Sequence, residues 1–172
     1  MDCCTPSTER PATNAACQVA PRGEQEMRCP SCEGKGRAVG HITLKALLTS
    51  DALKRLGSTP YRFCLTTGCD VVYFSTESVF RTRDLSVPVW QKATDPSAYV
   101  CYCFEYSAQS VRDEITRTGQ STTATVIKHF VQAGKCACEV RNPQGTCCLG
   151  NVTRLVETIR LGAGVETDDA GQ

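Results

Sequence analysis

The sequence predicts an α+β protein, a small β-rich module followed by a mostly helical one. Three observations carry this. The 13 cysteines in 172 residues fall almost entirely in close pairs. The runs YRFC and CDVVYF bring β-branched and aromatic residues to both sides of a short turn, LTTG, which reads as a hairpin. In the C-terminal half, Leu149, Val152, Leu155, Val156 and Ile159 follow the helical period.

Residues 1–27 are rich in Pro, Thr, Ala and Gln and show no hydrophobic period. They read as a disordered arm carrying Cys3, Cys4 and Cys17. The first module covers 28–95. It opens with CPSCEGKGRAV, a cysteine knuckle leading into a short strand near Arg37 to His41. ITLKALLTSDALKRLG follows as helix, with Thr43 and Ser50 as N-cap candidates, Leu53 and Leu56 as its apolar stripe and Gly57 at its end. After the hairpin, VPVW near Val87 to Trp90 reads as another strand, and ATDPSA, 93–98, as a linker.

The second module covers 99–162. Ser107 is placed to cap a helix through Thr116, with Val111 and Ile115 one turn apart and Gly119 ending it. A second helix runs from about Ser121 to Gln132, with Val126, Ile127, Phe130 and Val131 on one face and Gly134 as its C-cap. A third runs from about Cys148 to Arg160. Between the last two lies KCACEVRNPQGTCC, and residues 163–172 form a polar tail.

Composition excludes several classes. With 19 basic and 18 acidic residues the net charge is +1, which argues against a nucleic-acid binder. The longest apolar runs, such as Val71 to Phe74, are too short to insert in a membrane. The N-terminus has neither a basic nor an apolar signal region, which predicts a cytoplasmic protein. There thiols stay reduced, and an odd cysteine count forbids complete internal pairing in any case. No P-loop, GxGxxG, HExxH or GxSxG motif occurs, so the chain reads as a metal-binding protein rather than an enzyme. His129, Asp113, Glu114, Arg112, Arg117 and Lys128 read as surface residues.

Two constellations carry the chemistry. Cys29-x2-Cys32 and Cys64-x4-Cys69 supply four sulfurs from a knuckle and a hairpin tip. Four thiolates satisfy tetrahedral zinc and leave no open position for water, so the site reads as structural. His41 would be the substitute ligand, but it reads as an ordinary strand residue. The second constellation is Cys101-x-Cys103, with one of Cys136 or Cys138 and one of Cys147 or Cys148. Four thiolates in two pairs suit a [2Fe–2S] cluster; the other reading is a second zinc site with two spare thiols. Cys148 is favoured over Cys147 because free amides at a helix start stabilise a thiolate.

CPSCEGKG, FCLTTGCDVVYF, VCYCF and NPQGTCCLGNV, in this order across residues 27–160, resemble the CopZ-type copper chaperone family. The resemblance implies a zinc-binding domain followed by a [2Fe–2S] domain similar to bacterioferritin-associated ferredoxin. It implies zinc on Cys29, Cys32, Cys64 and Cys69. It implies a cluster on Cys101, Cys103, Cys138 and one of the Cys147/Cys148 pair. The expected fold is therefore a zinc-stapled β-rich module and a helical [2Fe–2S] helix–turn–helix module.

Full-length members of that family carry a further C-terminal domain holding Cu(I) on a CxxC loop. This sequence ends about ten residues after its last helix and contains no MxCxxC. The adjacent thiols of the arm offer soft-metal binding instead, which suits copper or mercury. The implied role is copper handling, by electron transfer to copper or delivery of Cu(I), with a metal-transporting ATPase or a redox protein as partner. The alternative is a one-electron carrier serving another redox enzyme without copper.

Overall fold

The computed structural model of the chain describes residues 27–163. The arm with Cys3, Cys4 and Cys17, and the polar tail, lie outside the described residues. The architecture is α+β, a β-sheet module followed by helices.

Four short strands, β1 (Gly36–Val39), β2 (Tyr61–Cys64), β3 (Val71–Phe74) and β4 (Val79–Arg81), form an antiparallel meander in that spatial order. Gly36 faces Cys64 across β1 and β2, and Phe63 faces Tyr73 across β2 and β3. All four residues of β3 are buried, because both faces of the strand are covered. Val72 and Tyr73 join the main core with Val39, Leu44, Tyr61, Phe63 and Phe80. Val71 and Phe74 pack instead with Cys29 and Cys64. The sheet thus divides the large hydrophobic residues between a core and a cysteine-lined corner.

The stretch after β1 departs from its expected course. Helix α1 (His41–Leu47) begins at His41, so His41 is a helix residue and not the end of a strand. Its Nε2 lies 3.2 Å from the Gly57 carbonyl and its ring meets the Tyr61 ring edge-on. Leu48 and Thr49 are extended and break the helix. Thr49 then caps α2 (Ser50–Leu53) through the Ala52 amide, a role the sequence pattern assigned to Ser50. The break is held from outside: the Thr49 amide donates to the Asp84 carbonyl and the Ser86 amide to the Leu47 carbonyl. Thr43 is not a cap but a buried side chain inside α1.

VPVW forms no strand, whereas β4 was not anticipated. The Tyr102 hydroxyl donates to the Pro88 carbonyl, and the Trp90 amide donates to the Tyr102 oxygen, both at 2.9 Å. A tyrosine thus takes the hydrogen bonds a neighbouring strand would have taken. Val89 enters the first core and Trp90 packs against the second. This segment straps the two modules together.

The second module starts with a two-stranded ribbon, β5 (Tyr99–Cys101) and β6 (Tyr106–Ser107). Ser107 caps α3 (Ala108–Thr118), and Gly119 ends it in the left-handed conformation. Next come α4 (Thr123–Gln132), the short α5 (Cys138–Arg141) and α6 (Leu149–Ala163). The C-cap of α4 is Ala133, one residue before Gly134. Val100, Cys101, Ile127, Cys148 and Val152 make the core of this half.

Glu114 is not a solvated charge. Its carboxylate accepts from the Ser121, Thr122 and Thr123 hydroxyls and from the Thr122 amide, at 2.6–2.9 Å. Burial works against its ionised form, but these bonds outweigh burial and pull the carboxyl down to about 2. A side chain on α3 thereby caps the start of α4, where Thr122 makes no side-chain cap of its own.

Candidate metal centres

Cys29, Cys32, Cys64 and Cys69 form a group whose sulfurs all lie within 4.8 Å of one another. Cys29 is 3.9 Å from Cys69, and Cys32 is 3.6 Å from Cys64. Local structure puts them there. The Cys29–Gly34 turn closes through the Glu33 amide on the Cys29 carbonyl and the Cys29 amide on the Gly34 carbonyl. A Cβ at Gly34 would stand 2.2 Å from Thr66 Oγ1, so any larger residue there would displace the hydroxyl that bonds Cys32. Cys64 ends β2, and the turn to β3 brings Cys69 back with its amide on the Thr66 carbonyl.

The four thiols are electrostatically unequal. Burial pushes the Cys29 thiol up to about 12, and raises Cys69 as well. Cys32 is drawn down to about 6, first by the Thr66 hydroxyl 3.2 Å away and then by the Gly34 amide. Amide and hydroxyl donors to sulfur offset the charge that a four-thiolate site concentrates.

The second set of thiols comes as two close pairs. Cys103 Sγ lies 3.7 Å from Cys138 Sγ and accepts from the Ala137 amide at 3.3 Å. Cys101 and Cys148 are buried in one core cluster, and neighbouring Cys148, with the amides of Phe104 and Cys103, lowers the Cys101 thiol to about 7 despite burial. Neighbouring Cys101, with burial, drives Cys148 upward. Cys138 is pushed up to about 12, mainly by burial. Cys101, Cys138 and Cys148 are buried and Cys103 is half-buried.

The two positions left open by spacing differ here in burial. Cys136 is half-buried and Cys147 exposed, and neither takes part in the two close pairs. Among the described residues, only the first group brings three or more ligating residues within 4.8 Å. The second set is therefore more spread than one ion requires.

Cys138 and Cys148 are carried by a loop that the first module supports. The Thr43 hydroxyl donates to the Glu139 carbonyl at 2.6 Å. The Tyr73 hydroxyl donates to the Pro143 carbonyl, and Arg37 Nη1 donates to Thr146 Oγ1. Asn142 and Gln144 are buried inside the loop. Sequence reasoning missed these supports, and nothing at positions 43 or 73 marks them in the sequence.

A knuckle and a hairpin that gather four thiols beside a small sheet define a zinc-binding protein of α+β build. The CopZ zinc binding domain model matches residues 26–86. Copper chaperone CopZ of Archaeoglobus fulgidus is 31% identical over 130 residues, which are 75% of this chain and 61% of that protein. The X-ray structure of the Archaeoglobus fulgidus CopZ N-terminal domain matches with a TM-score of 0.65 at 30% identity. It covers 75% of this chain and 97% of that one. The chain belongs to the CopZ family. It spans 61% of the length of the copper chaperone it matches. No described helix is long and apolar enough to cross a membrane.

Proposed function

We propose that this chain holds a structural zinc ion on Cys29, Cys32, Cys64 and Cys69 and a redox-active [2Fe–2S] cluster on Cys101, Cys103, Cys138 and Cys148, and works in copper handling. On this reading 28–95 is the zinc domain and 99–162 the cluster domain. The observation that carries it is the 3.7 Å approach of Cys103 to Cys138 beside a buried cluster that holds Cys101 and Cys148 together. A [2Fe–2S] cluster takes four thiolates, two on each iron. Two close pairs that do not converge on one centre fit that donor set better than a second zinc ion.

When bound, the cluster supplies transfer of one electron at a time. The chain's own groups set the conditions. The Ala137 amide bonds Cys103, the Cys148 amide bonds Cys138, and the Cys103 and Phe104 amides bond Cys101. These donors favour the more negative state and so raise a reduction potential. Packing by Trp90, Phe104 and Leu149 keeps water from the buried thiols. Half-buried Cys103 leaves one edge near the surface.

The substrate is copper: one electron converts Cu(II) to Cu(I), which soft thiols outside the two sets receive. Cys3, Cys4, Cys17, Cys136 and Cys147 are those thiols. Partners of this role are a metal-transporting ATPase or a redox protein of the cytoplasm. A one-electron carrier without copper is the second reading.

The test is metal analysis with a visible spectrum of protein purified without oxygen. About two irons, two sulfides and one zinc per chain are expected. A visible band that dithionite fails to bleach sinks both cluster readings. Cu(I) titration of a Cys3/Cys4/Cys17 triple-Ser variant separates them: wild-type stoichiometry and affinity would remove the arm from copper handling.

A further inference from the structure

A cavity of about 520 Å³ opens between the sheet module and α6, apart from both cysteine sets. Its size is that of a small-molecule site. Two guanidiniums reach it, Arg37 from β1 and Arg154 from α6, and no acidic residue lines it. Neither arginine has an acidic partner among the described residues. Each is instead anchored by neutral acceptors, Arg37 by Thr146 Oγ1 and Arg154 by the Gly150 carbonyl and Asn151 Oδ1. Anchoring holds the forks in place and leaves further N–H groups for a ligand.

Gln144 is the second, independent observation. It is 5% exposed, and it lines this cavity. Its backbone amide is taken by Asn142 Oδ1, but its side-chain amide has no partner among the described residues. No buried side-chain nitrogen or oxygen is left unsatisfied, so solvent still reaches its amide atoms. A ligand that displaces that water must offer a hydrogen-bonding group in its place. The remaining walls are apolar, with Phe63, Trp90 and Leu155 among them.

We propose that this cleft binds a small organic carboxylate with an apolar or aromatic body. The two guanidiniums and the Gln144 amide take the carboxylate oxygens, and the aromatic and aliphatic walls hold the rest. An inorganic anion would leave those walls unused, and a neutral apolar compound would leave both charges unpaired. The inference does not depend on what the cysteine sets hold.

Trp90 is the chain's only tryptophan and lines the cleft, so its emission reports binding. The full chain is titrated with phenylacetate, phenylacetamide and inorganic phosphate, by fluorescence and by calorimetry. Saturable binding of phenylacetate is expected, with the amide and phosphate each weaker by about tenfold or more. Arg37→Gln and Arg154→Gln should each weaken phenylacetate by about tenfold. Both side chains are exposed, so the fold should survive, which circular dichroism checks. Equal affinity for phenylacetamide or phosphate, unchanged affinity in both variants, or no saturable signal by either method would overturn the proposal.

Discussion

The Tyr73 hydroxyl donates a buried hydrogen bond to the Pro143 carbonyl at 2.8 Å. It joins the centre of the sheet to the loop that carries Cys138 and Cys148. Burial holds the phenol far above its usual range, so it stays a donor at any working pH. Tyr73→Phe keeps the ring but leaves the carbonyl without this donor. A loss of about 1–3 kcal/mol is expected in urea melts. Faster proteolysis within residues 142–147 should accompany it; an unchanged midpoint and cleavage pattern would contradict the coupling.

Gly145 makes the same docking sensitive to one methyl group. Its φ is +65°, and a Cβ would lie 2.9 Å from Thr43 Oγ1 and 3.0 Å from Val39 Cγ2. Gly134, with φ +68° and open space around it, is the control. Gly134→Ala should cost about 1–2 kcal/mol for the backbone alone. Gly145→Ala should cost clearly more in the same thermal melts. Equal losses would mean that the loop yields freely against α1.

Glu114 predicts a pH effect. Its folded pKa, about 2, lies below the unfolded value of about 4.3. The contribution is therefore complete above the unfolded value and is lost as pH falls from about 4.3 towards about 2. Glu114→Gln should destabilise by about 1 kcal/mol at neutral pH, in the range of a lost helix cap. The gap between variant and wild type should close on acidification.

Zinc loss should propagate. Removal with a strong chelator, or Cys64→Ser at a fully buried position, takes the staple from a module with a small core. Since that module supports the 138–148 loop through Thr43 and Tyr73, Trp90 emission should change in the same transition as the sheet's circular dichroism. Two separate transitions would show that the modules stand independently.

The proposed ligand set separates adjacent cysteines. Cys148→Ser should abolish the visible absorption of anaerobically purified protein, since Cys148 is buried against Cys101. Cys147→Ser, on the exposed side, should leave the spectrum in place. The opposite pattern would transfer the ligand role to Cys147.

Much of the fold was legible in local pattern. The β2–β3 hairpin, the Ser107 cap, Gly119 and the period of α6 each depend on residues within a few positions of one another. Elements whose hydrogen bonds go to distant partners were not legible. VPVW alternates like a strand, but its backbone bonds go to Tyr102. ITLKALLTSDALKRLG offers Thr43 and Ser50 as caps, but the helix breaks at Leu48 and Thr49, where residues 82–86 hold the backbone. Glu114 looks like surface charge because the groups that bind it belong to the next helix.

The same division runs through the cysteines. Their number, their close spacing and the knuckle–hairpin pattern of Cys29, Cys32, Cys64 and Cys69 are properties of the sequence alone, because short loops fix which sulfurs can meet. Spacing could not distinguish Cys136 from Cys138, or Cys147 from Cys148, since one residue of chain reaches either way. Only the tertiary structure separates them. It does so by packing α5 on α1 and seating the loop on Thr43 and Tyr73, which leaves Cys138 and Cys148 buried, Cys136 half-buried and Cys147 exposed.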